Sequence, residues 1–226
     1  MKTLLCCLAF SLVSVSISDA AIVTFTIDST GYLIQNSTGT NLTAGTSADF
    51  DGAIVQVGYF SSATLGNNFS GTWVPLTGIG GSSGVLTSIG DAGNSGAGNI
   101  FTNPLNIDTT IATNTPTVGT PLAIRFYDNT AFSGPNAATK YATVSNTTAG
   151  LWTWPTPGSG ATIPTVSMFL GDSGLVVADA SNLVSGTPNN FIRTTTNIAA
   201  VPEPSTFTFG ALAALAAAGT RRRRRE

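Results

Sequence analysis

The residues whose types could support catalysis lie in two serine-containing motifs. Gly171-Asp172-Ser173-Gly174 copies the local sequence around a protease serine nucleophile, and residues 80–84 fit the pattern G-x-S-x-G. A serine nucleophile needs a general base to accept its proton, and that base is normally a histidine. The sequence contains no histidine, and nothing in it places Lys140 near either serine. We therefore interpret both motifs as turns in a chain rich in glycine and serine.

Paired carboxylates are the second candidate for a catalytic or metal-binding site. Asp49 and Asp51 are two residues apart, a spacing that could serve glycoside hydrolysis or calcium binding. We favour a polar turn before a strand that begins at Ala53, because aspartate readily initiates turns. Residues 90–94 and Asp128-Asn129 are weaker calcium candidates, and the EF-hand loop pattern is absent. The sequence therefore predicts no catalytic residue, no metal site and no cofactor, and hence a protein that is not an enzyme.

Two tryptophans offer a binding chemistry instead. Trp152 and Trp154 are two residues apart, so both side chains could project from one face of a strand. Exposed, they would form a flat platform on which sugar rings stack. Buried, they would fill the core of the domain. We favour the core, because large aromatic side chains are mostly buried, and keep sugar stacking as the alternative.

The charge distribution excludes a class of partner. Charged residues make up 9% of the chain, against about 25% in ordinary soluble domains. Residues 21–201 contain eight aspartates against three cations, Arg125, Lys140 and Arg193, which gives a net charge of −5. An acidic body without a basic groove repels phosphate. We therefore expect no binding to nucleic acid, despite five arginines near the C-terminus.

The elements that must position these residues are predicted to be strands. In residues 22–27, Val23, Phe25 and Ile27 alternate with Thr24 and Thr26, which is the pattern of a half-buried strand. Similar runs occupy 31–35, 53–60, 85–89, 122–127, 141–144, 151–154, 165–170, 175–178 and 190–194. Turn residues bound them, and no long helical period precedes the C-terminal tail. Residues 21–200 are therefore predicted to form an all-β fold, a single antiparallel β-sandwich of the jelly-roll or Ig-like kind.

The N-terminus is typical of an export signal. Lys2 gives a short positive region, residues 4–15 are apolar apart from serines, and Ser18-Asp19-Ala20 resembles a cleavage site. We interpret residues 1–20 as a signal peptide. Both cysteines, Cys6 and Cys7, lie within it, so the mature chain has no disulfide.

The C-terminal residues 201–226 have three parts. Pro202, Glu203 and Pro204 come first, then an apolar segment over 206–220. As a helix this segment is about 22 Å long, against a hydrocarbon core of about 30 Å, so it is a marginal transmembrane helix. The last part is the arginine run Arg221, Arg222, Arg223, Arg224 and Arg225. Such a cluster stays on the cytoplasmic side, which places the preceding residues outside.

This tail resembles the PEP-CTERM sorting signal of Gram-negative bacteria, in which a Pro-Glu-Pro tripeptide, a hydrophobic helix and an arginine cluster follow in this order. The resemblance implies that an exosortase, a membrane enzyme with a cysteine nucleophile, recognises Pro202, Glu203 and Pro204 and cleaves near them. It also implies that Arg221 to Arg225 act as a membrane stop. The same type of tail is also called the C-terminal domain of ice-binding proteins, a label that describes the tail alone. A plain anchor that is never cleaved remains the alternative.

These features together predict an exported bacterial surface or extracellular-matrix protein. It would first span the inner membrane once, with its body in the periplasm, and would then reach the cell surface or the medium. Its association with exopolysaccharide is implied by the resemblance. The alternatives are a carbohydrate-binding module that uses Trp152 and Trp154, a hydrolase that uses Asp49 or Asp51, and an ice-binding surface with regular T-x-T rows, for which Thr24-x-Thr26 is too little.

Overall fold

The computed structural model describes residues 22–44, 52–77, 87–88, 96–100, 105–111, 115–128, 140–158 and 162–197. Several sequence predictions lie outside these residues: the signal peptide, Asp49 and Asp51, the motifs at 80–84 and 90–94, and the tail at 201–226. Within the described ranges, no helix is long and apolar enough to cross a membrane.

Strands are the main regular secondary structure of the described chain, which confirms the all-β class. One short 3-10 helix, Ala180–Asn182, is also described. The strands are β1 (Ile22–Asp28), β2 (Tyr32–Asn36), β3 (Ile54–Phe60), β4 (Trp73–Pro75), β5 (Thr87–Ser88), β6 (Leu105–Asp108), β7 (Leu122–Tyr127), β8 (Lys140–Asn146), β9 (Thr165–Phe169), β10 (Leu175–Val177), β11 (Leu183–Val184), β12 (Asn190–Thr194) and β13 (Thr196–Asn197).

These strands form three sheets. The large sheet contains β10-β8-β7-β3-β4 in this order, with β5 beside β3, and the two smaller sheets are β6-β1-β9 and β11-β12-β2. The prediction that all pairs are antiparallel is wrong for two of them. β1 lies parallel to β9, and β2 lies parallel to β12. Alternation in the sequence reports which face a residue occupies but not which strand lies beside it, so these distant pairings left no signal.

One hydrophobic core lies between the sheets. Val23, Phe25 and Ile27 of β1 are at most 1% exposed, as their alternation predicts. Ile124 and Phe126 of β7 face the same core from the large sheet. The alternate residues of β7, which include Arg125, lie on the opposite, outer face of the large sheet. Phe60, Trp73 and Tyr141 surround Arg125 on this face.

The predicted strand at 151–154 is wrong. Thr153 makes only an isolated bridge to Pro121, and Trp152 has a φ of 48°. A left-handed backbone at a bulky residue interrupts the extended conformation that a strand requires. The segment still presents Trp152 and Trp154 to the core, so the period-2 pattern was right about the face and wrong about the element.

Five turns share one motif, in which an Asp or Asn side chain accepts the backbone N–H of the residue two positions later. Their acceptors are Asp28, Asn36, Asp108, Asn146 and Asp179. In each case the residue two positions later is Thr or Ser. Four of these acceptors are the last residue of a strand, where the Asx turn replaces ladder hydrogen bonds, and Asp179 caps the short 3-10 helix instead.

Two of these turns make stability depend on pH. Hydrogen bonds from the Thr110 side chain and backbone lower the pKa of Asp108, and those from Ser181, its backbone first, lower the pKa of Asp179. A carboxylate with a lowered folded pKa contributes stability above its unfolded pKa of about 3.9 and loses it as pH falls through the folded value. Thermal melts from about pH 6 to about pH 2 should therefore show a falling Tm.

The Asp108→Asn, Asp179→Asn double variant tests this origin, because asparagine keeps the acceptor oxygen but cannot be protonated. We expect a smaller decrease in Tm with acid than in the unmodified protein. An unchanged pH profile would place the acid sensitivity elsewhere.

Candidate binding surface

A cleft of about 600 Å³ lies where β3 ends and β7 begins. Its walls are neutral and combine hydroxyl groups with apolar side chains. They include Tyr59 and Phe60 of β3, Leu65, the threonines Thr64, Thr115, Thr117 and Thr120, and Pro116, Val118 and Pro121. No Asp, Glu, Lys or Arg lines it within the described residues. A cleft of this character suits a neutral ligand with both hydroxyl groups and apolar faces, such as a sugar.

A tight turn builds one wall of the cleft. Thr120 N–H donates to the carbonyl of Thr117 over 2.9 Å, and Gly119 between them has a φ of 87°, which glycine adopts without strain. The turn projects Val118, which is 57% exposed, towards the cleft. Hydrogen bonds of 2.8 and 2.9 Å join Gly119 and Thr120 to the backbone of Trp154, so a core segment fixes the position of the turn.

An aromatic strip continues from the cleft along the outer face of the large sheet. We define it as Phe60, Trp73, Arg125 and Tyr141. The Phe60 and Trp73 rings are 5.4 Å apart. The guanidinium carbon of Arg125 lies 4.3 Å from the Trp73 ring centroid and 4.4 Å from that of Tyr141. Arg125 is thus held between two aromatic rings by cation–π interactions.

The sheet itself creates the space for Trp73. A Cβ atom at Gly58 would lie 2.7 Å from two carbons of the Trp73 ring and 2.5 Å from the Val74 carbonyl oxygen. Glycine is therefore required where the indole crosses β3.

Beneath the strip, the buried Gln56 accepts hydrogen bonds from Tyr127 Oη at 2.6 Å and from Trp73 Nε1 at 3.4 Å. Burial raises the pKa of Tyr127, so this phenol stays a neutral donor.

The three cations of the body all contact neutral groups. Arg125 Nε donates to Thr143 Oγ1 at 3.0 Å, Lys140 Nζ to Ser37 Oγ at 3.0 Å, and Arg193 Nε to Gln35 Oε1 at 3.1 Å. No ion pair involves Arg125 within the described part of the chain. The partners of Arg125 are thus hydroxyl groups and aromatic rings, and no carboxylate of the described residues neutralises it.

The structure decides between the two interpretations of the tryptophans. Trp152 is 1% exposed and Trp154 is 2% exposed, so neither offers a face to a sugar. Trp154 packs against Phe25, with ring centroids 6.2 Å apart, and Trp152 Nε1 donates to Asp172 Oδ2 at 3.2 Å. The stacking platform proposed for this pair is therefore corrected, and both residues belong to the core.

The protease-like motif is a turn, as its interpretation predicted. Asp172 N–H donates to the carbonyl of Phe169, and the Ser173 carbonyl accepts from Asn146 Nδ2 at 3.0 Å. Of the weak calcium candidate Asp128-Asn129, the structure describes Asp128, whose carboxylate accepts a hydrogen bond from the backbone N–H of Lys140 at 2.9 Å. Among the described residues, no group of three or more His, Cys, Asp or Glu is arranged to hold a metal ion.

The threonine pair on β1 gains neighbours on β9. The parallel register places Thr165 beside Thr24 and Ser167 beside Thr26. Their hydroxyl groups already have lateral partners, since Thr24 Oγ1 donates to Asn106 Oδ1 at 2.8 Å and Thr26 Oγ1 to Ser167 Oγ at 3.3 Å. Within the described strands this patch consists of one T-x-T row and one T-x-S row, too small to support the ice-binding alternative.

Residues missed by the sequence interpretation make up the strip. Trp73, Arg125 and Tyr141 are far apart in the sequence, and strand register alone brings them together. Arg125 lies opposite Gln56 on β3 and Thr143 on β8. One signal was available: Arg125 and Arg193 are the two charged residues inside the predicted strand-like runs, which marks both positions as unusual.

Comparison with known proteins identifies the tail. Residues 200–225 match the family model of the PEP-CTERM protein-sorting motif, which confirms the resemblance inferred from Pro202, Glu203, Pro204 and the arginine run. The motif implies an exosortase as the processing partner and export with sorting to the surface or membrane. No curated protein and no solved structure matches the chain.

Proposed function

We propose that this protein is a non-enzymatic component of the bacterial cell surface or extracellular matrix, delivered by exosortase sorting and associated with exopolysaccharide. A signal peptide over residues 1–20 starts its export. A helix over 206–220 then holds it in the inner membrane once, with the body in the periplasm, until the exosortase acts near Pro202 to Pro204. The body serves as a β-sandwich that binds the matrix glycan.

The match at residues 200–225 is the observation that carries the sorting part of this proposal. The arginine run adds an orientation, because a cationic cluster beside an apolar segment stays in the cytoplasm. The predicted signal peptide exports the same residues that this orientation places outside. Two independent signals thus agree on topology.

The cleft supports the glycan-binding part. Its threonine hydroxyl groups offer hydrogen bonds to sugar hydroxyl groups, while Tyr59, Leu65 and Val118 offer apolar contact to sugar C–H faces. Leu65 and Val118 are 51% and 57% exposed, an unusual pair of exposed apolar side chains beside one cleft. This cleft replaces the buried Trp152 and Trp154 as the proposed carbohydrate-binding site.

Mass spectrometry of the protein purified from native cells tests the sorting. We expect the mature C-terminus to lie near Pro202 to Pro204, with Arg221 to Arg225 removed. Intact arginines in every molecule would show a plain membrane anchor instead.

The cleft is tested by Val118→Arg, which places a bulky charge in its mouth at an exposed position. We expect the affinity for dextran, a neutral glycan, measured by retardation in native gels, to fall by about tenfold, a loss of about 1.4 kcal/mol. Leu183→Arg is the matched control, because Leu183 is 40% exposed on β11 and does not line the cleft. Equal retardation of both variants and the unmodified protein would contradict binding in the cleft.

A further inference from the structure

The aromatic strip contains a cation that the fold itself does not neutralise. Arg125 is half-buried between Trp73 and Tyr141, and its Nε–H donates to the neutral hydroxyl of Thr143. A guanidinium has five N–H donors in a planar fork. The body around it carries a net charge of −5, yet no carboxylate pairs with Arg125 within the described residues.

The geometry restricts what this guanidinium can bind. Rings on two sides keep it from rotating, so its fork is presented in a fixed direction, and bidentate pairing with a planar carboxylate becomes favourable. One guanidinium fork pairs with one carboxylate at a time, so the ligand unit that it recognises carries a single negative charge. The rings beside it add apolar contact area of the kind that sugar C–H faces use.

The strip is continuous with the cleft, because Phe60 belongs to both. A chain-like ligand in the cleft would therefore reach Arg125 along the half-buried Trp73, since the Phe60 ring itself is only 9% exposed. This continuity favours a polymer with repeated units over an isolated small anion.

We propose that Arg125, held between Trp73 and Tyr141, recognises the carboxylate of an acidic sugar unit, so that the matrix glycan bound by this protein contains uronic-acid-type residues. This inference rests on the proposed function and adds the chemical class of the ligand. The cleft binds neutral parts of the glycan, and Arg125 selects the acidic unit.

Native affinity electrophoresis tests this with two probes, polygalacturonate as the acidic glycan and dextran as the neutral one, on mature protein made in its native host. We expect stronger retardation by polygalacturonate, weakened by added salt. Arg125→Gln should reduce the affinity for polygalacturonate by about tenfold or more and leave that for dextran unchanged. Arg125→Lys, which keeps the charge but not the fork, should lie between them.

Arg193→Gln is the matched control, because Arg193 also lies over an aromatic ring, Phe191, but outside the strip. It should bind polygalacturonate as the unmodified protein does. Circular dichroism establishes whether each variant is folded. If Arg125→Gln does not fold, the unmodified protein is compared with Arg125→Lys instead.

Failure of the acidic-sugar inference and failure of the proposed glycan binding would give different results. Equal retardation by both glycans, unchanged in Arg125→Gln or Arg125→Lys, would overturn the acidic-sugar inference and leave glycan binding in place. No retardation by either probe would contradict both the inference and the proposed association with polysaccharide. A parallel loss in Arg193→Gln would show a general charge effect and also overturn the inference.

Discussion

Replacing Pro202, Glu203 and Pro204 together with alanine is expected to abolish sorting and leave the protein in the inner membrane with its arginine run intact. Proline and the residue before it disfavour helix, whereas alanine favours it. Under the proposed function, alanine would let the helix proposed for 206–220 extend through the recognition site. The measurement is cell fractionation with mass spectrometry of the C-terminus, and we expect the surface form to fall to background.

A conservative variant separates recognition from backbone effects. Glu203→Gln keeps both prolines and removes only the charge, so a comparable loss of sorting would assign recognition to the carboxylate. The contrary result for the triple variant is normal amounts of processed protein at the cell surface. That outcome would place recognition outside Pro202 to Pro204.

The Trp152→Ala, Trp154→Ala double variant is expected to unfold. Replacing a buried tryptophan with alanine costs about 3–5 kcal/mol, and a domain of ordinary stability has about 5–15 kcal/mol in total. Both rings are at most 2% exposed and belong to one core cluster, so both substitutions remove packing contacts from the same cluster. Thermal and urea denaturation of the mature protein, followed by near-UV circular dichroism, would measure the effect.

Trp73→Ala is the matched control, since Trp73 is half-buried on the outer face of the large sheet. We expect it to cost about 1 kcal/mol and to keep a cooperative transition. A double variant at Trp152 and Trp154 as stable as Trp73→Ala would contradict the placement of both rings in the core.

Much of the fold was predictable because alternation reports burial directly. The bounds of β7 and β12 were predicted without error, and Val23, Phe25 and Ile27 face the core as expected. β6 was missed, because Asn106 and Asp108 give it the composition of a turn. Strand neighbours were not predictable, since the contacts that pair β1 with β9 join residues 141 positions apart.

The candidate site was less predictable than the fold for the same reason. Arg125 stood out only by its charge, while Trp73 and Tyr141 looked ordinary. Their meeting depends on the registers that place Phe60 opposite Trp73 and Arg125 opposite Thr143. The tail, in contrast, is a linear motif, so its residues could be recognised from the sequence alone.

The parallel pairings have a consequence for how such a chain leaves the cytoplasm. β1 needs β9, and β2 needs β12, so the first strands to emerge from the ribosome acquire these neighbours only when nearly the whole body has been synthesised. Closing contacts at such separation is slow. Slow closure of these two pairings would keep the body unfolded during its synthesis, which is the state in which a translocation channel accepts a chain.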